Sequence, residues 1–349
     1  MTSHPWDLPD PPGTEPVRGI HPWLWLISAL AVVGFLALAF FVPIPIFFGY
    51  LPGPVRDVED LVKVTDARTY SSEGSLYLTT VSVDTQVTIY DMVVSLFDDE
   101  LNIVMAEDVT QGQSLRRLQR QQKQEIVDSK RRAQEVALSA LGFARPKGDG
   151  ARVTGVLPNT PAEGRLMPGD RILTIEGTRV STACDVGRLV DSVDVGGRLT
   201  ITVRRGGETR EVSLRTARNP QDQMSSFLGI VMESVNYRFD PGFKIEFETG
   251  EIAGPSAGLM FSLALYDRLT PDDLTAGREV AGTGTIDCDG GVGPIGGIEQ
   301  KVAGAEAKGA EIFLAPQANS AAAQAVADEI EIVPISTFDD AVEYLEGLQ

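Results

Sequence analysis

Gly254-Pro255-Ser256-Ala257-Gly258 opens a segment rich in Leu, Met and Phe, and Gly293-Pro294-Ile295-Gly296-Gly297-Ile298-Glu299-Gln300-Lys301 leads into an alanine-rich one. Glycine permits a sharp bend and proline suits a first helical turn, so the first stretch predicts a helix over 256–268 with Ser256 at its start. A hydroxyl there lies beside backbone N–H groups with no helical partner, which can hold a developing oxyanion. The same residues also describe an ordinary helix start. Lys301 adds the chemistry. A lysine acts as a base only when neutral, so its pKa must fall by about three units from about 10.4. Lys301 lies early in a helix predicted over 298–308, among Ile295, Ile298, Val302 and Ala303. Apolar burial and the positive end of a helix both push in that direction. The chain's histidines are His4 and His21, which excludes a Ser-His-Asp or Cys-His arrangement in the body of the protein.

Working outward, strands are predicted over 230–237, 244–247, 279–286 and 311–315, with further helices over 318–327 and 338–348. This alternation predicts an α/β-type core for a unit spanning 220–349. Before it, 141–216 reads as strands over 151–157, 171–176, 199–204 and 211–214, with a helix over 183–192. Pro158–Asp170 reads as a turn, a short helix and a turn. Residues 50–140 read as a β-rich region, with strands over 75–83 and 88–96, followed by an amphipathic helix over 112–140. That helix carries the basic cluster Arg116, Arg117, Arg120 and Lys123, either a solvated face or a contact for lipid headgroups. Residues 1–20 are Pro-rich and polar, a disordered tail.

Between Arg18 and Arg56 no residue is formally charged, and Trp23–Val42 has the length of a bilayer span. A transmembrane anchor is therefore expected within 21–46, flanked by Trp23, Trp25, Phe47, Phe48 and Tyr50 as interfacial aromatics. One basic residue before the span and three soon after it would, read literally, keep the C-terminal part in the cytoplasm; so small a bias leaves orientation open. The overall fold class expected is α+β multidomain.

The motifs carry two resemblances. The 141–216 unit, with its Pro-Ala-Glu-Gly and Pro-Gly-Asp turns, resembles a bacterial PDZ domain, which takes a peptide C-terminus as an added strand. Leu141-Gly142-Phe143 stands where that family's carboxylate-binding loop would be; the other reading is a C-cap glycine that ends the preceding helix. Gly254–Gly258, Val280-Ala281-Gly282-Thr283-Gly284, Gly293–Gly297 and Lys301 together resemble the signature of the Lon-type serine proteases. That resemblance implies Ser256 as nucleophile, Lys301 as general base, Thr283 bonding near the lysine, and Gly254, Pro255 and Ala257 as the nucleophile loop. Two acids often found in the family are replaced here, by Ala253 and Thr285, with Glu251 the nearest acid. The whole layout resembles the bacterial membrane-anchored PDZ–Lon-like proteases. It implies a single-pass cell-membrane protein with the catalytic part outside the cytoplasm, acting on polypeptide substrates, with ring-shaped homo-oligomers by family analogy. The rival reading is a non-catalytic peptide-binding scaffold with a degenerate Lon-like domain.

The net charge of −19 disfavours nucleic-acid binding. No phosphate-cradling G-x-x-x-x-G-K-[ST] motif occurs, so no ATP module is expected. No cofactor or metal is implied. Asp287-Cys288-Asp289-Gly290 lacks the downstream ligands of a calcium loop and reads as a turn. Cys184 and Cys288, far apart in sequence, indicate neither a disulfide framework nor a metal site, and Cys288 reads as inert.

Overall fold

A computed structural model describes residues 22–97, 101–220 and 225–348. The tail expected over 1–20 lies outside them. The apolar run forms α1 (Pro22–Ala39), whose Trp23, Leu26, Leu30 and Phe35 side chains stand exposed. Its 18 residues reach about 27 Å. Among the described residues no helix is long and apolar enough to cross a membrane.

β1 (Phe47–Pro52), β2 (Arg56–Asp57), β3 (Val62–Thr65), β4 (Ser75–Leu78) and β5 (Val81–Asp84) follow, then α2 (Ile89–Val94), β6 (Asn102–Met105), α3 (Ala106–Thr110) and α4 (Leu115–Ala140). The single strand expected over 75–83 breaks at Thr79-Thr80. There Thr79 Oγ1 donates to Gly282 O (3.2 Å) and Thr80 Oγ1 to Pro54 O (2.8 Å). β5 enters the sheet β5-β1-β6, while β4 joins another. The strand expected over 88–96 is helical instead. The Asp91 N–H donates to Thr88 Oγ1 and the Thr88 N–H donates to the Asp91 carboxylate, a reciprocal cap that overrides a β-branched composition. The basic cluster on α4 is exposed to solvent.

β7 (Ala151–Val156), β8 (Arg171–Ile175), α5 (Ala183–Asp191), β10 (Arg198–Arg205) and β11 (Glu208–Arg215) fall where strands and helix are expected in the 141–216 unit, and β9 (Thr178–Arg179) is a short strand not expected there. Residues 158–170 run as turns without the short helix. β12 (Ala217–Arg218) pairs with β13 (Ser226–Phe227), and β14 (Ile230–Ser234) closes the order β11-β10-β8-β7-β14, with β9 on β8. The strand expected over 230–237 in the last unit therefore belongs to this sheet. Its antiparallel partner β7 supplies the register, from Ile230↔Val156 to Ser234↔Ala151, which local pattern does not encode. Val153, Ile172, Ile175, Leu199 and Ile201 form its core.

β15 (Lys244–Phe247), α6 (Gly258–Leu269), β16 (Glu279–Gly282), β17 (Thr285–Ile286), β18 (Val292–Gly293), α7 (Ile298–Lys308), β19 (Ile312–Pro316), α8 (Ser320–Val326), β20 (Glu331–Ile335) and α9 (Phe338–Glu346) complete the chain. The main sheet has the order β2-β4-β16-β19-β20. β4, β16, β19 and β20 are parallel, and β2 is antiparallel to β4. β15 pairs with β3. Ile126, Ala133, Val136 and Leu138 of α4 share one core with Leu259, Met260 and Leu263 of α6. β2, β3, β4 and α4, read within a 50–140 region, thus share sheets or core with 244–346, while β1, β5 and β6 form a sheet of their own, and the β7–β14 sheet is inserted between.

Candidate active site

Each candidate side chain arrives on a different piece of backbone. Gly254 has φ +88°, a left-handed conformation that costs glycine nothing in sterics. Ser256 lies in the turn just ahead of α6, whose N-cap is Ala257. The helix therefore starts two residues later than expected. Lys301 lies near the start of α7, where its N–H donates to Gly297 O (3.2 Å). Gly297 has φ +67°, and a Cβ there would stand 2.6 Å from Val81 Cγ2, so α7 can begin this close to β5 only from a glycine. Thr283 follows β16, its N–H donating to Leu314 O (3.1 Å).

The three side chains meet. Lys301 Nζ is 2.9 Å from Ser256 Oγ, 2.8 Å from Thr283 Oγ1 and 3.2 Å from Thr79 O. Thr283 Oγ1 donates to Ser256 O (3.1 Å). Lys301 is 3% exposed, and burial pushes its pKa down from 10.5 to about 7. A neutral amine has two N–H bonds and one lone pair. Thr283 Oγ1, whose proton is committed to Ser256 O, and Thr79 O can accept both N–H bonds. The lone pair is then left for the Ser256 hydroxyl. Thr79 escaped the sequence reading because only the pairing of β4 with β16 brings it here.

The loop 254–257 divides its duties. Gly254 donates its N–H to Gln122 O (3.0 Å), and Pro255 has none to give. Among the described residues, the N–H groups of Ser256 and Ala257 have no backbone acceptor. A cleft of about 740 Å³ passes this point, lined by Tyr50, Val81, Ile252, Ser256, Ile295 and Lys301 among others. Glu251 and Thr285 also line it.

Residues 244–346 match the Lon protease (S16) C-terminal proteolytic domain, and residues 113–216 match the PDZ domain. The chain joins a PDZ domain to a Lon-type proteolytic domain. The Lon protease of Phenylobacterium zucineum is 32% identical over 179 residues, covering 50% of this chain and 20% of that protein. Lon protease 2 of Bacillus subtilis is 35% identical over 107 residues, 30% of this chain and 19% of that protein. This chain thus spans about a fifth of the length of these relatives. The solved PDZ domain of an SdrC-like protein from Listeria monocytogenes aligns with 24% of this chain and 87% of its own length, at 23% identity and a TM-score of 0.23.

Two sequence readings outside the Ser256–Lys301 pair need correction. Leu141-Gly142-Phe143 ends α4: Gly142 has φ +74°, the Phe143 N–H donates to Leu138 O (2.9 Å), and the Phe143 ring meets Phe243 edge-on at 5.4 Å. The C-cap reading holds. The strand that follows, β7, is paired on both sides by β8 and β14, so no peptide can be added to it. β14 is an edge strand, as β11 is at the other side of the sheet, and α5 lies alongside β14. It is preceded by Phe227-Leu228-Gly229, where the N–H groups of Leu228 and Gly229 have no backbone acceptor among the described residues. The turn glycine Gly229 (φ +78°) ahead of alternating Ile230, Met232 and Ser234 was the available signal.

The second correction concerns the cysteines. Cys184 and Cys288 form a disulfide with a Cα–Cα distance of 5.6 Å. It joins α5 of the PDZ domain to the turn after β17 of the Lon-type domain. A separation of 104 residues says nothing of proximity; docking of the two domains creates it. Arg188 lies 3.6 Å from Asp289 across the same junction.

Proposed function

We propose that this protein is a membrane-tethered, ATP-independent serine endopeptidase with a Ser256–Lys301 dyad. The observation that carries this reading is a buried amine, its pKa lowered to about 7, placed 2.9 Å from Ser256 Oγ. Neutral Lys301 takes the Ser256 proton as Oγ attacks the scissile carbonyl. The free Ser256 and Ala257 N–H groups receive the oxyanion. The lysine then protonates the leaving amine, and a water activated by the same amine hydrolyses the acyl-enzyme. Thr283 and Thr79 hold Nζ, so no carboxylate is required to orient it.

The PDZ domain selects or gates substrates by taking a C-terminus along the edge of β14, with the Leu228 and Gly229 N–H groups on the carboxylate. Tethering is supported by the exposed apolar side chains of α1, continued by Phe41, Val42 and Ile46. The Cys184–Cys288 disulfide favours an oxidising, extracytoplasmic compartment for the body of the protein. The substrates are unfolded or flexible chains. Ring-shaped homo-oligomers follow by family analogy and are checked by mass measurement in detergent.

The test is cleavage of an unstructured protein by the full chain in detergent, beside Ser256→Ala and Lys301→Ala, with labelling by a serine-reactive phosphonate. Cleavage by wild type alone supports the dyad. Identical behaviour of all three, without labelling of Ser256, leaves the peptide-binding scaffold as the better account.

A further inference from the structure

We propose that Ser129, on α4, is a positioning residue that aims the oxyanion-holding amide of Ser256; this rests on the Ser–Lys reading above. Ser129 is 3% exposed. Its hydroxyl donates to Pro255 O at 3.1 Å. A serine inside a helix usually bonds back to its own preceding turn. Here the hydroxyl reaches across to another segment, 126 residues away in sequence. α4 lies outside the stretch matched as the proteolytic domain, 244–346, yet it packs on α6 in that domain's core.

The argument is one of peptide planes. A trans peptide fixes its N–H antiparallel to the C=O of the preceding residue, and no cis peptide occurs among the described residues. Pro255 C=O is held by Ser129 Oγ and, at 3.3 Å, by the Gly258 N–H. The Ser256 N–H, in the same plane, is therefore turned away from α4. The next plane is held in the same manner. Ser256 C=O accepts from the Gly284 N–H (2.9 Å) and from Thr283 Oγ1 (3.1 Å), which turns the Ala257 N–H away from the Thr283-Gly284 link between β16 and β17. Both carbonyls are pinned and both amides lack a backbone acceptor. α4 supplies a further tie through Gln122 O, which accepts from the Gly254 N–H. The loop thus has fixed donors before substrate arrives, the condition under which an oxyanion hole is effective. Ser129 does not line the cleft, so it acts through Ser256 and not on substrate.

The experiment uses the full chain in detergent, comparing wild type, Ser129→Ala, Ser129→Thr and Ser256→Ala. Deleting one oxyanion donor costs about a hundredfold or more in kcat; loosening its aim is expected to cost about tenfold. Ser129→Ala should lower kcat by that factor with KM within about twofold of wild type. Affinity for a peptide boronic acid, whose adduct is tetrahedral, should fall in parallel. The acid limb of the pH profile should stay where it is, because Lys301 is untouched. Ser129→Thr, which keeps the hydroxyl, should recover most of kcat. Should Ser129→Ala fail to fold, Ser129→Cys, a weak donor of similar size, replaces it under the same criteria. Unchanged kcat and boronate affinity in an enzyme that Ser256→Ala inactivates overturns the proposal and leaves the dyad standing. A loss that shifts the pH profile, or that Ser129→Thr does not restore, also overturns it. A wild type no more active than Ser256→Ala removes the dyad reading, and this one with it.

Discussion

Replacing Lys301 with methionine should make the protein more stable and inactive, with a stability gain that shrinks as pH rises. The lysine pKa falls from 10.5 in the unfolded chain to about 7 in the fold. Between those values the unfolded state holds a proton that the folded state has released. Stability therefore rises with pH across this window, by about 1.4 kcal/mol per unit, and is lost as pH falls toward 7. At pH 7 the wild type carries a penalty of about 4 kcal/mol from this group; at pH 10 about 1 kcal/mol remains. Methionine removes the penalty. It also leaves Thr79 O, in a residue 1% exposed, without its donor, at about 1–3 kcal/mol. The net expectation is a gain of about 1–3 kcal/mol at pH 7 that vanishes or reverses by pH 10. The assay is urea denaturation of both proteins at pH 7, 8.5 and 10, because the difference cancels titrations common to both. A difference that is flat with pH, or that grows as pH rises, would refute the assignment of a neutral buried amine. In the wild type, kcat/KM should rise with pH through a midpoint near 7.

Thr283→Val removes an acceptor of Lys301 and a donor to Ser256 O; kcat should fall by about tenfold or more, read from steady-state kinetics beside an unchanged far-UV spectrum. Gly297→Ala combines a left-handed backbone with a Cβ 2.6 Å from Val81 and should cost about 1–3 kcal/mol in thermal or urea unfolding. Cys184→Ser opens a 104-residue separation and should lower stability by about 2–5 kcal/mol, with faster limited proteolysis between the two domains. A peptide with a free C-terminus should lose binding to the PDZ domain in Gly229→Val, measured by fluorescence anisotropy, while Leu141→Ala leaves binding unchanged.

Local signals were legible wherever the chain's own neighbours decide. The bends at Gly254 and Gly297, the helices that follow them and the apolar flanks of Lys301 are all consequences of adjacent residues. The pair Ser256 and Lys301 could be singled out because the body of the chain has no histidine to serve as base. Thr88–Leu96 misled because a β-branched composition hides a cap formed by just two residues, Thr88 and Asp91. The sequence leaves 141–143 open between a carboxylate-binding loop and a C-cap, since nothing local says that β14, more than 70 residues after β7, pairs with it and leaves β7 covered.

The amino-acid sequence by itself determined the residue types available for chemistry and the turns that present them. A glycine with positive φ or a proline at a helix start imposes its conformation whatever surrounds it. Only the tertiary structure decided which groups meet. Thr79 reaches Lys301 because β4 lies beside β16, Ser129 reaches Pro255 because α4 packs on α6, and Cys184 reaches Cys288 because two domains dock. The same packing strips water from Lys301, and that loss of hydration, which no local motif encodes, is what lowers its pKa.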